Sequence, residues 1–155
     1  DTLSAAGYEH YEISNFCKPG LYSRHNTSYW QGIPYLGFGP SAHSFDRYSR
    51  EWNVPSLEEY ISAIESKKRL YEKEELNLTT RYNEYIMTSL RTRRGIDLPT
   101  LTTRFGQTLS DYCTSMTAPY LKSGKLEQQD KHLRLTRKGI FVSDGIISDL
   151  MFVEE

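Results

Sequence analysis

An α+β chain is what this sequence predicts, and three observations predict it. Residues up to about Asn53 are rich in glycine, aromatics and turn formers; beyond Pro55 apolar residues recur at helical spacing; and two short alternating runs flank Asp130-Lys131 before helical periodicity returns. The expected architecture is a β-rich part over 1–53 followed, over 54–155, by a mostly helical, winged-helix-like part that carries a β-hairpin.

Taken in order, Asp1 to Ala6 reads as the end of a helix running into Gly7, so the chain looks excised from a longer one. Strand character follows at Tyr8 to Ile13, Tyr35 to Phe38, Ala42 to Phe45 and Tyr48 to Trp52. Ser56 is a helix N-cap with Glu59 at the capping-box position, ahead of Leu57, Tyr60, Ile61 and Ile64 on one face. A second helix starts near Thr80, places Tyr82, Tyr85, Ile86, Ser89 and Leu90 on one side, and closes in the basic turn Arg91 to Arg94 before Gly95. Pro99 to Phe105 forms a short helix stopped by Gly106. Leu109, Tyr112, Met116 and Leu121 mark a longer one, broken or bent near Pro119 and ended by Gly124. Lys125 to Gln129 and His132 to Thr136 make the hairpin, and Gly139 to Phe152 returns to helix through Ile140, Ile147 and Met151.

The 155 residues suffice for one domain, or for the end of one followed by a smaller one. With 37% hydrophobic and 25% charged residues and no apolar run near the roughly 18 residues of a membrane span, the expectation is a cytoplasmic chain. Lys and Arg number 19 against 20 Asp and Glu, so the general basic field of a nucleic-acid binder is absent. Cys17 and Cys113 stand far apart without metal-finger neighbours, which argues against a disulfide framework or a zinc site.

The most unusual local composition is Arg24-His25-Asn26-Thr27-Ser28-Tyr29-Trp30. On a helical turn His25 and Tyr29 share a side and Trp30 flanks them. A neutral imidazole can ligate heme iron and aromatic rings can pack on a porphyrin face. The same residues also fit a loop in which His25 hydrogen-bonds and the two aromatics anchor the chain to its core, and residue types alone leave both readings open. Gly37-x-Gly39-x-Ser41-Ala42 is half of a phosphate-binding loop without the third glycine, or else a tight turn where backbones approach closely.

Several blocks carry a resemblance: Gly7 through Phe16, Lys18-Pro19-Gly20, Ser23 through Trp30, Tyr35 through Ser44, then Gly124-Lys125-Leu126, Leu133 through Gly139 and Ile147 through Leu150. Together they resemble the radical S-adenosylmethionine (SAM) family that contains the HemW-like heme chaperones and the oxygen-independent coproporphyrinogen III oxidases, also called the HemN family. The resemblance implies that 1–53 are the last strands and loops of an incomplete (β/α) radical SAM barrel and 54–155 a HemN-type C-terminal domain. It also implies heme binding by His25, Asn26, Tyr29 and Trp30, with His25 as the ligand to the heme iron, because His-Asn-x-x-Tyr-Trp marks the chaperone branch. Gly37, Gly39, Ser41 and Ala42 are implied to line the SAM cavity. Two departures stand out. Pro40-Ser41 replaces a frequent Ala-Gly, and Cys17 a frequent Ala.

The family's Cys-x-x-x-Cys-x-x-Cys loop, which holds its 4Fe-4S cluster, does not occur in this sequence. No residue here is therefore assigned a catalytic role, and the chain alone is expected to perform no radical chemistry. The reading that follows is heme binding and transfer, with heme or porphyrin and a heme-accepting protein as partners. The alternative within the family is part of a coproporphyrinogen III oxidase, an enzyme of porphyrin biosynthesis. Outside it stands a winged-helix nucleic-acid module using Lys125, Lys131, Arg134, Arg137 and Lys138, although Glu127 and Asp130 dilute that patch and no nucleic-acid partner is expected. Glu9 with Glu12, or Glu58 with Glu59, make poor acid–base pairs, being on opposite strand faces or on a solvated helix. Finally, a barrel strand over Tyr8 to Ile13 that lacks its neighbours has an open edge, which invites self-association.

Overall fold

A computed structural model describes residues 2–154. Asp1, the head of the expected N-terminal helix end, and Glu155 lie outside them. Two packing units are present, one made of 1–31 together with 78–155 and the other of 32–77. They cut across the change of composition at 53/54, because a sheet in the second unit pairs strands from both sides of that point.

The larger unit begins with α1 (Thr2–Ala5) and the antiparallel hairpin β1 (Glu9–Glu12) and β2 (Asn15–Cys17), followed by α2 (Arg24–Trp30). After the second unit it resumes with α4 (Leu78–Leu90) and continues through β6 (Ile96–Asp97), α5 (Leu98–Lys122), β7 (Leu126–Gln129), β8 (His132–Leu135), α6 (Arg137–Ile140) and α7 (Ser143–Leu150). Strands β6, β8 and β7 form one antiparallel sheet with β8 in the centre. The predicted apolar face of α4 is correct, since Tyr82, Ile86, Ser89 and Leu90 are all buried. They meet Leu101, Phe105, Leu109 and Cys113 of α5, Leu126 and Leu133 of the hairpin, and Ile146, Ile147 and Leu150 of α7. Buried polar groups of this core are paired: the Tyr82 hydroxyl donates to the Leu150 carbonyl at 3.1 Å, and Asn83 bonds both the N–H and the carbonyl of Phe152.

Other details bear out the sequence reading or differ from it. Gly106, at φ 84° and ψ 170°, is the non-helical joint that divides α5 into the short and the long helix expected there. The helix then runs through Pro119 to Lys122. The expected closing helix over 139–152 is two pieces, α6 and α7, separated at Phe141 and Val142. The largest correction concerns the edge of β1. The Ile13 N–H donates to the Arg91 carbonyl at 2.9 Å and the Arg93 N–H to the Tyr11 carbonyl at 3.0 Å, so residues 91–93 lie along the strand opposite β2. With that side occupied over 11–13, the open edge on which the expected self-association rests is shortened.

The smaller unit holds β3 (His43–Phe45), β4 (Ser49–Asn53), α3 (Leu57–Glu65) and β5 (Tyr71–Glu75), with the strands in the order β3-β4-β5. Asp46 makes the β3–β4 turn by accepting the N–H groups of Tyr48 and Ser49 at 2.8 and 2.6 Å. Those bonds hold its carboxyl below the ordinary carboxylate value. Ser56 caps α3 as its sequence position predicts, accepting the Glu59 N–H at 3.2 Å. Tyr35 to Phe38 is not a strand and keeps only a single bridge from Tyr35 to Phe45. Strand β5, Tyr-Glu-Lys-Glu-Glu, has every residue exposed and no apolar alternation, so sequence patterning does not reveal it.

Two stability outcomes follow. Gly95, at φ 74°, would bring an added Cβ to 2.0 Å from the Leu133 carbonyl oxygen, whereas a Cβ at Gly145 in α7 meets nothing within 4 Å. Gly95→Ala is expected to cost about 1–3 kcal/mol, and Gly145→Ala to stabilise by roughly 0.8 kcal/mol, both read from chemical denaturation. Asp97 caps α5 by accepting the Thr100 N–H at 3.0 Å, and this bond holds its carboxyl below the ordinary value of 3.8. A depressed folded-state value means the contribution is full above 3.8 and is lost as pH falls through the lower folded-state value. Denaturation midpoints taken on either side of that window should fall with acid in the parent chain and fall less in Asp97→Asn, which keeps the acceptor without the charge.

Candidate functional site

Helix α2 is short and depends on its caps. The Ser23 side chain accepts the Asn26 N–H at 3.3 Å, and the Gln31 N–H closes the other end on the Thr27 carbonyl at 3.0 Å. The helical turn expected for the His-Asn-x-x-Tyr-Trp motif is therefore present, and the spacing has the predicted result. His25 is exposed and its ring meets Tyr29 edge-on, centroids 4.9 Å apart and planes at 88°. Asn26 and Trp30 are half-buried.

Trp30 faces the body of the larger unit, where α2 packs beside α4. The Arg91 guanidinium, just past the end of α4, lies 5.6 Å from the Trp30 ring centroid, within cation–π range. The Trp30 indole Nε1 is buried and has no hydrogen-bond partner. Leaving a buried donor unpaired costs about 1–3 kcal/mol, so an acceptor brought to this face gains a ready partner. Four residues predicted from sequence thus share one short helix, with an imidazole and a phenol outward and an indole inward.

The second predicted group lies in the other packing unit, and its chemistry is structural. An added Cβ at Gly37 would fall 2.2 Å from the His43 carbonyl oxygen, so glycine is required by close backbone approach. Gly39 takes φ 102° and Ser41 φ 56°. The amides are all engaged within the unit: Gly37 donates to Ser44 Oγ at 3.0 Å, Gly39 to the Tyr60 hydroxyl at 3.1 Å, Ser41 to the Val54 carbonyl at 3.2 Å and Ala42 to the Gly39 carbonyl at 3.3 Å. Asn53 Nδ2 then bonds the carbonyls of Gly37 and Gly39, while its Oδ1 accepts from Arg69 at 2.9 Å. The loop is a built turn, and its backbone donors are already in use.

Cys17 and Cys113 are buried free thiols. Burial pushes the Cys113 thiol up to about 11, so it stays protonated and packs as a small apolar residue. Among the described residues no group of three His, Cys, Asp or Glu side chains could hold a metal ion. The residues present do not fit a thiolate-held cluster. Glu9 and Glu12 have structural partners, Glu9 accepting from the Tyr22 hydroxyl and Glu12, itself buried, from Asn15. Of the cations in the predicted basic wing, Arg134 is paired with Glu127 at 2.6 Å. What sequence reasoning missed is Arg91, whose basic turn is legible as a helix end but whose place over Trp30 depends on tertiary packing.

Comparison with known proteins gives this geometry a context. Residues 76–142 match the family model for the HemN C-terminal domain. The chain is 31% identical over 150 residues to a protein of Mycobacterium tuberculosis H37Rv named heme chaperone HemW, covering 96% of this chain and 36% of that one. It is 30% identical over 145 residues to the Bacillus subtilis heme chaperone HemW, covering 93% and 38%. A 62-residue stretch is 54% identical to the mouse protein named radical S-adenosyl methionine domain-containing protein 1, mitochondrial, and covers 36% of this chain and 14% of that one. Among solved structures, coproporphyrinogen III oxidase (HemN) from Escherichia coli, described as a radical SAM enzyme, superposes with a TM-score of 0.67 at 18% identity. That match takes in 97% of this chain and 38% of the other and shows a shared fold. The chain spans well under half the length of these relatives. On these matches, this α+β chain carries a HemN C-terminal domain over residues 76–142 and is similar over most of its length to the HemW heme chaperones.

Proposed function

We propose that this chain is a heme-handling segment of a HemW-like protein, which binds heme on α2 with His25 as the iron ligand and passes it to an accepting protein. The observation that carries the reading is the composition of α2 as folded: an exposed imidazole braced by Tyr29, beside an indole whose buried N–H lacks an acceptor. An exposed ligand suits transient binding, since a cargo held at the surface leaves without opening the core. The relatives' printed name, heme chaperone, agrees in kind.

The finer architecture belongs to the same proposal. Residues 1–53 are read as the last strands and loops of a radical SAM barrel, and the helices with the β6-β8-β7 sheet as a winged-helix-like domain. Loop 37–42 would line the SAM cavity of a longer protein; with its amides engaged, it would contribute shape and the exposed Ser41 side chain. SAM and the 4Fe-4S cluster are assigned to that longer protein, since the thiols here do not fit the cluster. No helix among the described residues is long and apolar enough to cross a membrane. A cytoplasmic location is proposed, although the mouse relative is named as mitochondrial. The coproporphyrinogen oxidase reading ranks second because its structural likeness, at 18% identity, concerns the fold.

A hemin titration followed in the Soret band tests the function. Saturable binding is expected in the parent chain, weakened about tenfold or more in His25→Ala, with salt-dependent DNA binding as a control. Binding indifferent to His25 would move heme away from α2.

A further inference from the structure

The larger unit contains a cavity of about 300 Å³ whose lining includes Arg91, the residue that lies over Trp30. Four guanidinium groups line it, those of Arg91, Arg93, Arg134 and Arg137, against two carboxylates, Glu12 and Glu127. In a chain whose net charge is -1, that is a marked local excess of positive charge. The carboxylates are already engaged, Glu12 with Asn15 and Glu127 with Arg134. The pair of Arg134 and Glu127 is half-buried on the arginine side and exposed on the glutamate side, so it is weakly held against a competing anion. Arg93 lies 3.8 Å from Glu9 and its side chain is 63% exposed.

The rest of the wall mixes the apolar side chains of Ile13, Leu90, Leu135 and Ile140 with His10, Thr92 and Thr136. A partly apolar hollow with several guanidinium groups suits an acidic group carried on a greasy body, because guanidinium pairs carboxylates in a fixed, two-pronged geometry. A nucleic-acid strand would need an open basic track, and here Glu9, Glu12 and Glu127 interrupt one. Arg91 connects the cavity to α2, since the same side chain lines the one and lies over the Trp30 ring of the other.

We propose that this arginine-lined cavity is a carboxylate subsite for the propionate side chains of a tetrapyrrole whose face is carried by α2. The inference rests on the heme reading above and extends it. The iron is held by His25, the ring lies against the aromatics, and the acidic side chains reach across Arg91 toward Arg93, Arg134 and Arg137. Selectivity follows, because tetrapyrroles with free carboxylates are retained and esterified ones are not.

The test compares hemin with hemin dimethyl ester on the parent chain, on Arg93→Gln/Arg134→Gln and on His25→Ala, with circular dichroism as a check on folding. The ester is expected to bind the parent about tenfold more weakly than hemin. The arginine variant should lose that preference, binding hemin as weakly as the parent binds the ester, and the preference should fade with added salt. Equal binding of hemin and ester that still requires His25 would overturn the subsite and leave the heme reading standing. No hemin binding to the parent chain would overturn both. Salt-sensitive binding of single-stranded DNA that disappears in the arginine variant, without discrimination between hemin and ester, would reassign these arginines to phosphates and also overturn the subsite.

Discussion

The turn that follows α4, residues 90–95, is the constraint on which the rest of the larger unit depends. Leu90 is buried at the end of the helix, and Gly95 turns the chain at φ 74° so closely to Leu133 that no side chain fits. Between them the backbone of Arg91 and Arg93 is bonded to β1, and the Arg91 side chain lies on Trp30. These six residues therefore tie together the N-terminal hairpin, α2 and the β6-β8-β7 sheet. Because Arg91 and Arg93 lie more than sixty positions from Trp30 and β1, the place of α2 depends on the end of α4.

The chemistry of α2 depends on that placement. An isolated seven-residue helix is marginal in water, and caps alone would not hold it. Docked through Trp30, it presents His25 in one orientation with Tyr29 against the imidazole edge. The buried indole N–H is the one side-chain donor or acceptor among the described residues left without a partner under such burial. In a structure whose other buried polar side chains are paired, an orphan at this place points to a missing acceptor.

Legibility in the sequence followed physical rule. Helix α4 was readable because five residues at 3.6-residue spacing face one core, and the cap of α3 because Ser56 and Glu59 act locally. The His25 to Trp30 helix was readable as a turn, and its resemblance supplied a chemical role that residue types left open. Strand β5 was hidden because its exposed charged residues carry no period, and the capture of β1 by residues 91–93 because pairing across such a separation leaves no local mark. The glycine loop was legible as a place of close backbone approach, the turn reading of its two glycines. Its glycines serve close approach to His43 and a left-handed turn, and Asn53 and Arg69, which stabilise it, carry no motif.

The most direct test of the account is ligand-resolved, and the chain's four histidines make it decisive. Zinc protoporphyrin, which is diamagnetic, is added to chain labelled at its imidazole nitrogens, and the resonances of His10, His25, His43 and His132 are followed by NMR. The account predicts that the His25 ring nitrogen shifts on coordination while the other three keep their coordination-free positions. Coordination shifts at His10, His43 or His132 with His25 unmoved would contradict it.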